Sequence, residues 1–312
     1  MGYVLWAEAG VGLHSREDWI RGVCRVLPEQ PTVLTGDPEA DLSRGLGAIA
    51  ELQRKIKPRK EDTWLLPCPV KGTKNAHLLG WSADCPQNLR RYRSITVPDK
   101  RSLRLLEAAG LEKKIRLGPD LSCLVERRIR PLAGAFRRDT VGLCPSRSSL
   151  PYSAYCKLIQ YILLDTTFEI AIIPYDSTDY PLLLALERQF RHSDRLQLRP
   201  PGSSQELRGD ISLCRMVIGM GGAMAAWSCG IPALCLGASG RSVGLGMDTF
   251  GPWQETVVPF RELSNPDDLT ARFRRFLHFE PILRQNLTNS IPRRRKEASN
   301  FSFTPTPKAP SR

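Results

Sequence analysis

The 312-residue chain has no apolar run long enough to cross a bilayer. Its longest apolar stretches, at 158–164 and 170–174, fall far short of the roughly 20 residues that a spanning helix needs. A basic leader is also missing. The start, Met1-Gly-Tyr-Val-Leu-Trp-Ala-Glu8, puts a carboxylate where the apolar core of a secretory signal should continue, which excludes that reading. The nine cysteines are odd in number, scattered, and contain no C-x-x-C pair, so neither a disulfide framework nor a zinc site is expected. They read as reduced, small apolar residues. These absences together suggest a cytoplasmic protein.

Acidic residues are too few to balance the basic ones: 32 against 45 gives a net charge of +13, which favours anionic partners. Nucleic acid is not among those expected, because no RNA- or DNA-binding motif accompanies the charge. The cluster Arg90-Arg91-Tyr92-Arg93 reads as a solvated helix face. Residues 293–312 carry six positive charges and one negative in a Pro/Ser/Thr-rich context. That composition predicts a disordered basic tail, suited to peripheral contact with an anionic membrane surface. The rest, at 41% hydrophobic and 25% charged, is ordinary globular protein with room for two domains. The sequons at Asn286 and Asn300 are chance matches without a secretory signal.

Short apolar runs alternate with longer helical patterns along the chain, the signature of an α/β fold. Strands are expected at 3–7, 31–34, 63–66, 94–97 and 115–117. Between them come helices from Ser15 to Leu27, over 42–56 and over 102–109. Residues 125–138, rich in arginine and without a period, read as a linker. The expected domains are therefore 1–137 and 138–292, followed by the tail 293–312. The second half repeats the alternation, with strands at 140–144, 169–173, 196–198, 216–218 and 232–236. Its helices are expected at 152–164, 180–190, 204–214, 223–229 and 267–279. Each half reads as an open, mostly parallel sheet, which places ligands at the carboxyl ends of strands.

Several glycine-rich segments sit at such ends. Gly10-Val-Gly12 follows the first strand but lacks the third glycine and the acidic residue of a dinucleotide fingerprint. Gly240-Arg-Ser-Val-Gly244 matches the nucleophile-elbow pattern of hydrolases, yet it begins several residues after the strand, and glycines 237, 240, 244 and 246 suggest a loop instead. The richest segment is Met216-Val-Ile-Gly-Met-Gly-Gly-Ala-Met-Ala-Ala-Trp-Ser-Cys-Gly-Ile-Pro232. There a strand runs into Gly219, Gly221 and Gly222, and the start of the next helix offers free N–H groups to an anion. Ser239, Arg241 and Ser242 follow the next strand and could add hydroxyls and a positive charge. Close packing of helix on strand also demands small residues here. Pro145-Ser-Arg-Ser148 and Pro174-Tyr-Asp-Ser-Thr-Asp179 end two neighbouring strands, which brings Ser146 and Arg147 toward the same place.

The order of these motifs resembles the polysaccharide pyruvyl transferase family over roughly residues 90 to 260. The resemblance rests on Ser94-Ile-Thr-Val-Pro-Asp-Lys-Arg-Ser102, Leu105-Leu-Glu-Ala-Ala-Gly-Leu111 and Arg116-Leu-Gly-Pro-Asp120 in the first half. In the second half it rests on Ile173-Pro-Tyr-Asp176, Ile211 to Gly219, Ala225 to Pro232 and Leu236 to Gly251. Pro98 stands where that family has arginine, Tyr175 where it has histidine, and Arg241 where it has lysine. Its Arg-x-His element is missing, with Gly219-Met-Gly-Gly-Ala-Met224 in that place, and so is its N-terminal Gly-Asn-x-Gly-Asp loop.

The resemblance implies two Rossmann-like domains in a glycosyltransferase B-like arrangement and a transferase that uses phosphoenolpyruvate as donor, with no other cofactor. The acceptor would be a glycan or lipid-linked glycan that receives a pyruvyl ketal. Tyr175 and Arg241 then take the catalytic roles, and Ser146, Arg147, Gly219, Gly221, Gly222, Ser239 and Ser242 bind the donor. Two alternatives stay open: a catalytically inactive relative that binds a glycan or partner, and a nucleotide-sugar glycosyltransferase of the glycosyltransferase B type.

Overall fold

A computed structural model describes residues 3–7, 18, 21–25, 27, 32–35, 63–66, 76–79, 89–130, 139–146, 149–175, 179–237, 240–251, 256–259 and 266–302. The expected helix at 42–56, the Gly10-Val-Gly12 turn, Arg147, Ser239 and the tail beyond 302 lie outside them. So does the side chain of Arg241. The chain divides into two compact units, residues 1–124 with 296–312, and residues 125–295.

The first unit is built on six parallel strands. These are β1 (Tyr3–Ala7), β2 (Thr32–Thr35), β3 (Thr63–Leu66), β4 (Ala76–Leu79), β5 (Ser94–Val97) and β6 (Ile115–Leu117), in the order β2-β1-β3-β4-β5-β6. Helix α1 (Lys100–Ala108) starts at Asp99, whose carboxylate accepts the Ser102 N–H at 2.7 Å. Leu78, Leu89, Ile95, Val97 and Leu106 form the core against it. In the cluster Arg90 to Arg93, Tyr92 is buried while Arg90 and Arg93 are exposed, so part of it faces inward.

The second unit has its own six-stranded parallel sheet. Its strands are β7 (Thr140–Cys144), β8 (Glu169–Ile172), β9 (Leu196–Leu198), β10 (Met216–Gly219), β11 (Ala233–Leu236) and β12 (Val257–Val258), in the order β12-β11-β10-β7-β8-β9. β7, β10 and β11 are buried at every position, as parallel strands covered on both faces must be. The helices are α2 (Tyr152–Asp165), α3 (Tyr180–Gln189), α4 (Ser204–Ser212), α5 (Gly221–Cys229), α6 (Gly240–Phe250) and α7 (Pro266–Ser299). Ser203 and Glu206 form a reciprocal capping box at α4. α5 closes on Gly230 at φ +82°, a left-handed turn that a side chain would strain.

Three expectations are corrected. Residues 240–250 form helix α6 instead of a glycine loop. Its glycines serve packing, since a Cβ at Gly246 would stand 2.8 Å from Val257. The closing helix does not stop near Phe279, and residues 293–299 are not a disordered tail. α7 continues through Pro281 and Pro292 because Leu269, Phe273, Phe276, Glu280, Leu283, Leu287 and Ile291 keep one buried stripe in phase. That burial offsets the main-chain bond each proline removes.

The division of the chain falls at 124/125, upstream of the expected 137/138. Residues 128–130 lie along α4. Arg128 N–H donates to Gln205 O at 2.8 Å, and Gly209 lets the Arg128 carbonyl approach. Arg130 pairs with the fully buried Asp210 and also donates to the Pro200 and Pro201 carbonyls at 3.0 and 3.2 Å.

Candidate functional site

Strand order reverses between β7 and β10, the point at which an open α/β sheet leaves a crevice at its carboxyl edge. Cys144 and Gly219 are register partners there. Gly219 has φ +154°, and a Cβ on it would stand 2.8 Å from Cys144 Cβ and overlap the Cys144 carbonyl oxygen. Gly222, on the first turn of α5, has the same neighbour: a Cβ would stand 2.7 Å from Cys144 Cβ, and 3.8 Å from Tyr175 Cβ. Gly222 is required where α5 starts over the end of β7, and Gly219 where the end of β10 runs against Cys144 at a positive φ.

Three sequence-predicted residues, Tyr175, Gly219 and Gly222, are thereby brought together around Cys144. Gly221 is next to them and half-buried, as is Met220. Met220 begins α5 without any side-chain cap. The uncapped helix start leaves main-chain N–H groups and the positive end of the helix dipole at the edge of the crevice, which suits an anion.

The turn after β7 borders the same edge. Tyr155, on α2, is fully buried, and its hydroxyl accepts the Ser146 N–H at 2.9 Å. That hydroxyl also pairs with Ser149 Oγ at 2.7 Å and donates to Ser146 O at 3.2 Å. Burial pushes the phenol up to about 12, so it stays protonated. The main chain of Ser146 is thus engaged within the turn. No sequence motif pointed to Tyr155, which reads there as one more member of a helical pattern.

Ser242 does not open onto the crevice. It is fully buried, hydrogen-bonded to the Cys235 thiol from the first turn of α6. Tyr175 is 6% exposed, with its N–H on Ile173 O at 2.8 Å. Cys144 is no nucleophile, since complete burial drives its thiol far above the usual range. Among the described residues no group of three or more His, Cys, Asp or Glu could hold a metal, and no helix is long and apolar enough to cross a membrane.

No family model matches the chain, and no curated protein matches it. Solved structures do. A protein assigned as a UDP-N-acetylglucosamine 2-epimerase from Listeria monocytogenes is similar at a TM-score of 0.64 and 13% identity, over 96% of this chain and 94% of that one. The UDP-N-acetylglucosamine 2-epimerase of Neisseria meningitidis, bound to UDP-N-acetylglucosamine, is similar at 0.54 and 11%, over 95% and 97%. A calicheamicin glycosyltransferase is similar at 0.54 and 11%, over 96% and 95%. The class that this defines is structural: an α/β protein of the glycosyltransferase B fold, with two Rossmann-like domains.

Proposed function

We propose that the chain is a group-transfer enzyme whose second unit binds a nucleotide sugar by its phosphates and passes the sugar to a glycan-type acceptor. One observation carries this reading: the uncapped start of α5 at the β7/β10 reversal, with Gly222 seated on Cys144. When the bond between sugar and diphosphate breaks, negative charge gathers on the departing phosphate. A fixed helix dipole and preoriented N–H groups stabilise that charge without reorganising. The similarity to a structure that holds UDP-N-acetylglucosamine and to a glycosyltransferase supports this donor over phosphoenolpyruvate. The motif order in 90–260 supports phosphoenolpyruvate as the competing donor, and it offers the same α5 terminus a phosphate and a carboxylate.

Thermal-shift titration separates the two, because a ligand that binds only the folded chain raises its melting temperature by mass action. A saturable shift with UDP-N-acetylglucosamine or UDP, absent with phosphoenolpyruvate, is the expected result. A shift with phosphoenolpyruvate alone favours pyruvyl transfer. No shift with any of them up to millimolar concentration overturns both and leaves the inactive relative. Arg241 occupies the first turn of α6, and Arg241→Ala tests whether it contributes to the shift.

A further inference from the structure

Residues 90–117 hold nine Arg or Lys against three Asp or Glu, and one of the three, Asp99, is buried as the cap of α1. The fold gathers this charge at one margin of the first unit. β6 is the outermost strand of its sheet, and α1 returns along it. Lys100, Arg104 and Leu105 are exposed on α1, and Lys113 is exposed in the turn between α1 and β6. The Lys114 ammonium, in the same turn, donates to the Arg90 carbonyl, which sets the exposed Arg90 beside it. Two leucines interrupt the charge. Ile115 packs against the core that α1 covers, and Leu117, two residues on, lies on the same face of the strand. Leu117 is nevertheless 46% exposed, and Leu105 is 41% exposed. Arg116, from the opposite face of β6, donates to Thr96 Oγ1 at 3.1 Å and stacks on Phe301, so it is not part of this surface.

We propose that the α1–β6 margin is a docking surface for an anionic phospholipid bilayer. Cations drawn from two elements and their connecting turn complement a negative lipid surface, and each one brought near it adds to the attraction. The leucines decide between this partner and another polyanion. Aliphatic groups exposed among cations gain from the apolar zone beneath lipid headgroups. A nucleic acid offers them nothing comparable. Its single-stranded form is held by stacking on exposed aromatic rings, and the one ring in this stretch, Tyr92, is buried. Glu107 and Glu112 are exposed on the same stretch. They temper the attraction, which makes the contact reversible and sensitive to salt. The surface lies within the first unit and does not depend on which donor the second unit takes.

The test is co-sedimentation of the full chain with vesicles of phosphatidylcholine alone and of phosphatidylcholine with phosphatidylglycerol at about 3:1. The wild type is compared with Arg104→Gln plus Lys113→Gln, with Leu105→Ser plus Leu117→Ser, and with Lys308→Gln plus Arg312→Gln, which removes the basic side chains beyond residue 302. The positions changed in the first two variants are exposed, so their melting temperatures should match the wild type. The wild type should bind the phosphatidylglycerol vesicles, release them at high salt, and ignore phosphatidylcholine alone. Arg104→Gln plus Lys113→Gln should bind about tenfold more weakly, and Leu105→Ser plus Leu117→Ser about threefold more weakly. Lys308→Gln plus Arg312→Gln should bind like the wild type. No binding to the anionic vesicles, wild-type binding in either margin variant, or a loss in Lys308→Gln plus Arg312→Gln overturns the proposal. Capture of a single-stranded oligonucleotide in place of the vesicles, lost with the charges and kept without the leucines, overturns it too and assigns the margin to nucleic acid.

Discussion

Gly222 and Cys144 share one site in the core: a Cβ on Gly222 would stand 2.7 Å from Cys144 Cβ and overlap the sulfur. Gly222→Ala therefore overpacks the joint between α5 and β7, at a cost of about 1–3 kcal/mol. Cys144→Ala removes the sulfur but keeps the Cβ, so it should restore only part of that loss, whereas Cys144→Gly should restore more. Urea denaturation of the single and double variants measures this coupling. Additive losses would show that the two positions do not compete for space.

Arg130 and Asp210 tie the linker to α4, with Asp210 fully buried and Arg130 nearly so. Burial raises the Asp210 carboxyl, and the Arg130 guanidinium pulls it back down. Removing one member leaves the other charge desolvated, so Arg130→Met should cost about 3–5 kcal/mol. Asp210→Asn strands the guanidinium but keeps a hydrogen-bond acceptor, and should cost less. Limited trypsin digestion gives an independent readout: cleavage after Arg127 and Arg128 should be slow in the wild type and fast in Arg130→Met. Equal digestion rates would mean that the segment is held by other contacts.

Much of the second unit was legible because parallel strands covered on both faces leave unbroken apolar runs such as Met216-Val-Ile and Ala233-Leu-Cys-Leu236. β4 was missed because Ala76-His-Leu-Leu79 is short and carries a histidine. Its neighbour Ser94, which makes that histidine acceptable in a strand, is distant in sequence. α6 was read as a loop because glycine usually breaks helices. The reason for Gly246 lies in Val257 and Trp227, which no local window contains. α7 was cut short at Pro281, although Leu283, Leu287 and Ile291 continued its phase and could have revealed its length. At the site, the sequence named Gly219, Gly221 and Gly222, which the structure sets at the β7/β10 reversal. Cys144, the residue that requires two of them, and Tyr155, which wires the adjacent turn, gave no signal, because their roles depend on contacts between separate elements.

His77 makes stability depend on pH. Burial, helped by the charges of Arg93 and Arg116, lowers its pKa from 6.5 to about 4, and the neutral ring pairs with Ser94 Oγ at 2.6 Å. In the unfolded chain the ring takes up a proton near its ordinary pKa, so between pH 6.5 and 4 the unfolded state binds more protons than the folded one. Stability is therefore full above about pH 7 and falls as the pH drops through that window. At about 1.4 kcal/mol per unit the loss approaches roughly 3 kcal/mol at pH 4. His77→Gln should be less stable than the wild type at pH 7 and should lose less on acidification. Parallel losses in the two proteins would assign the acid sensitivity to other groups.

The buried thiols give a clock for unfolding. Cys144, Cys214 and Cys235 are all fully enclosed. Burial raises each of them, to about 12 for Cys235, and the two others are raised as well. Attack on a thiol reagent needs both thiolate and access. At pH 8 these three should stay unlabelled in the native chain, while the partly exposed Cys156 and Cys229 react first. Addition of urea should make all three reactive together, because they belong to one core and are released by one opening event. Peptide mapping by mass spectrometry after timed labelling tests this. If Cys235 were labelled well ahead of Cys144 and Cys214, the α6–β11 joint would open independently of the sheet, and the β7/β10 crevice would border a separately mobile element.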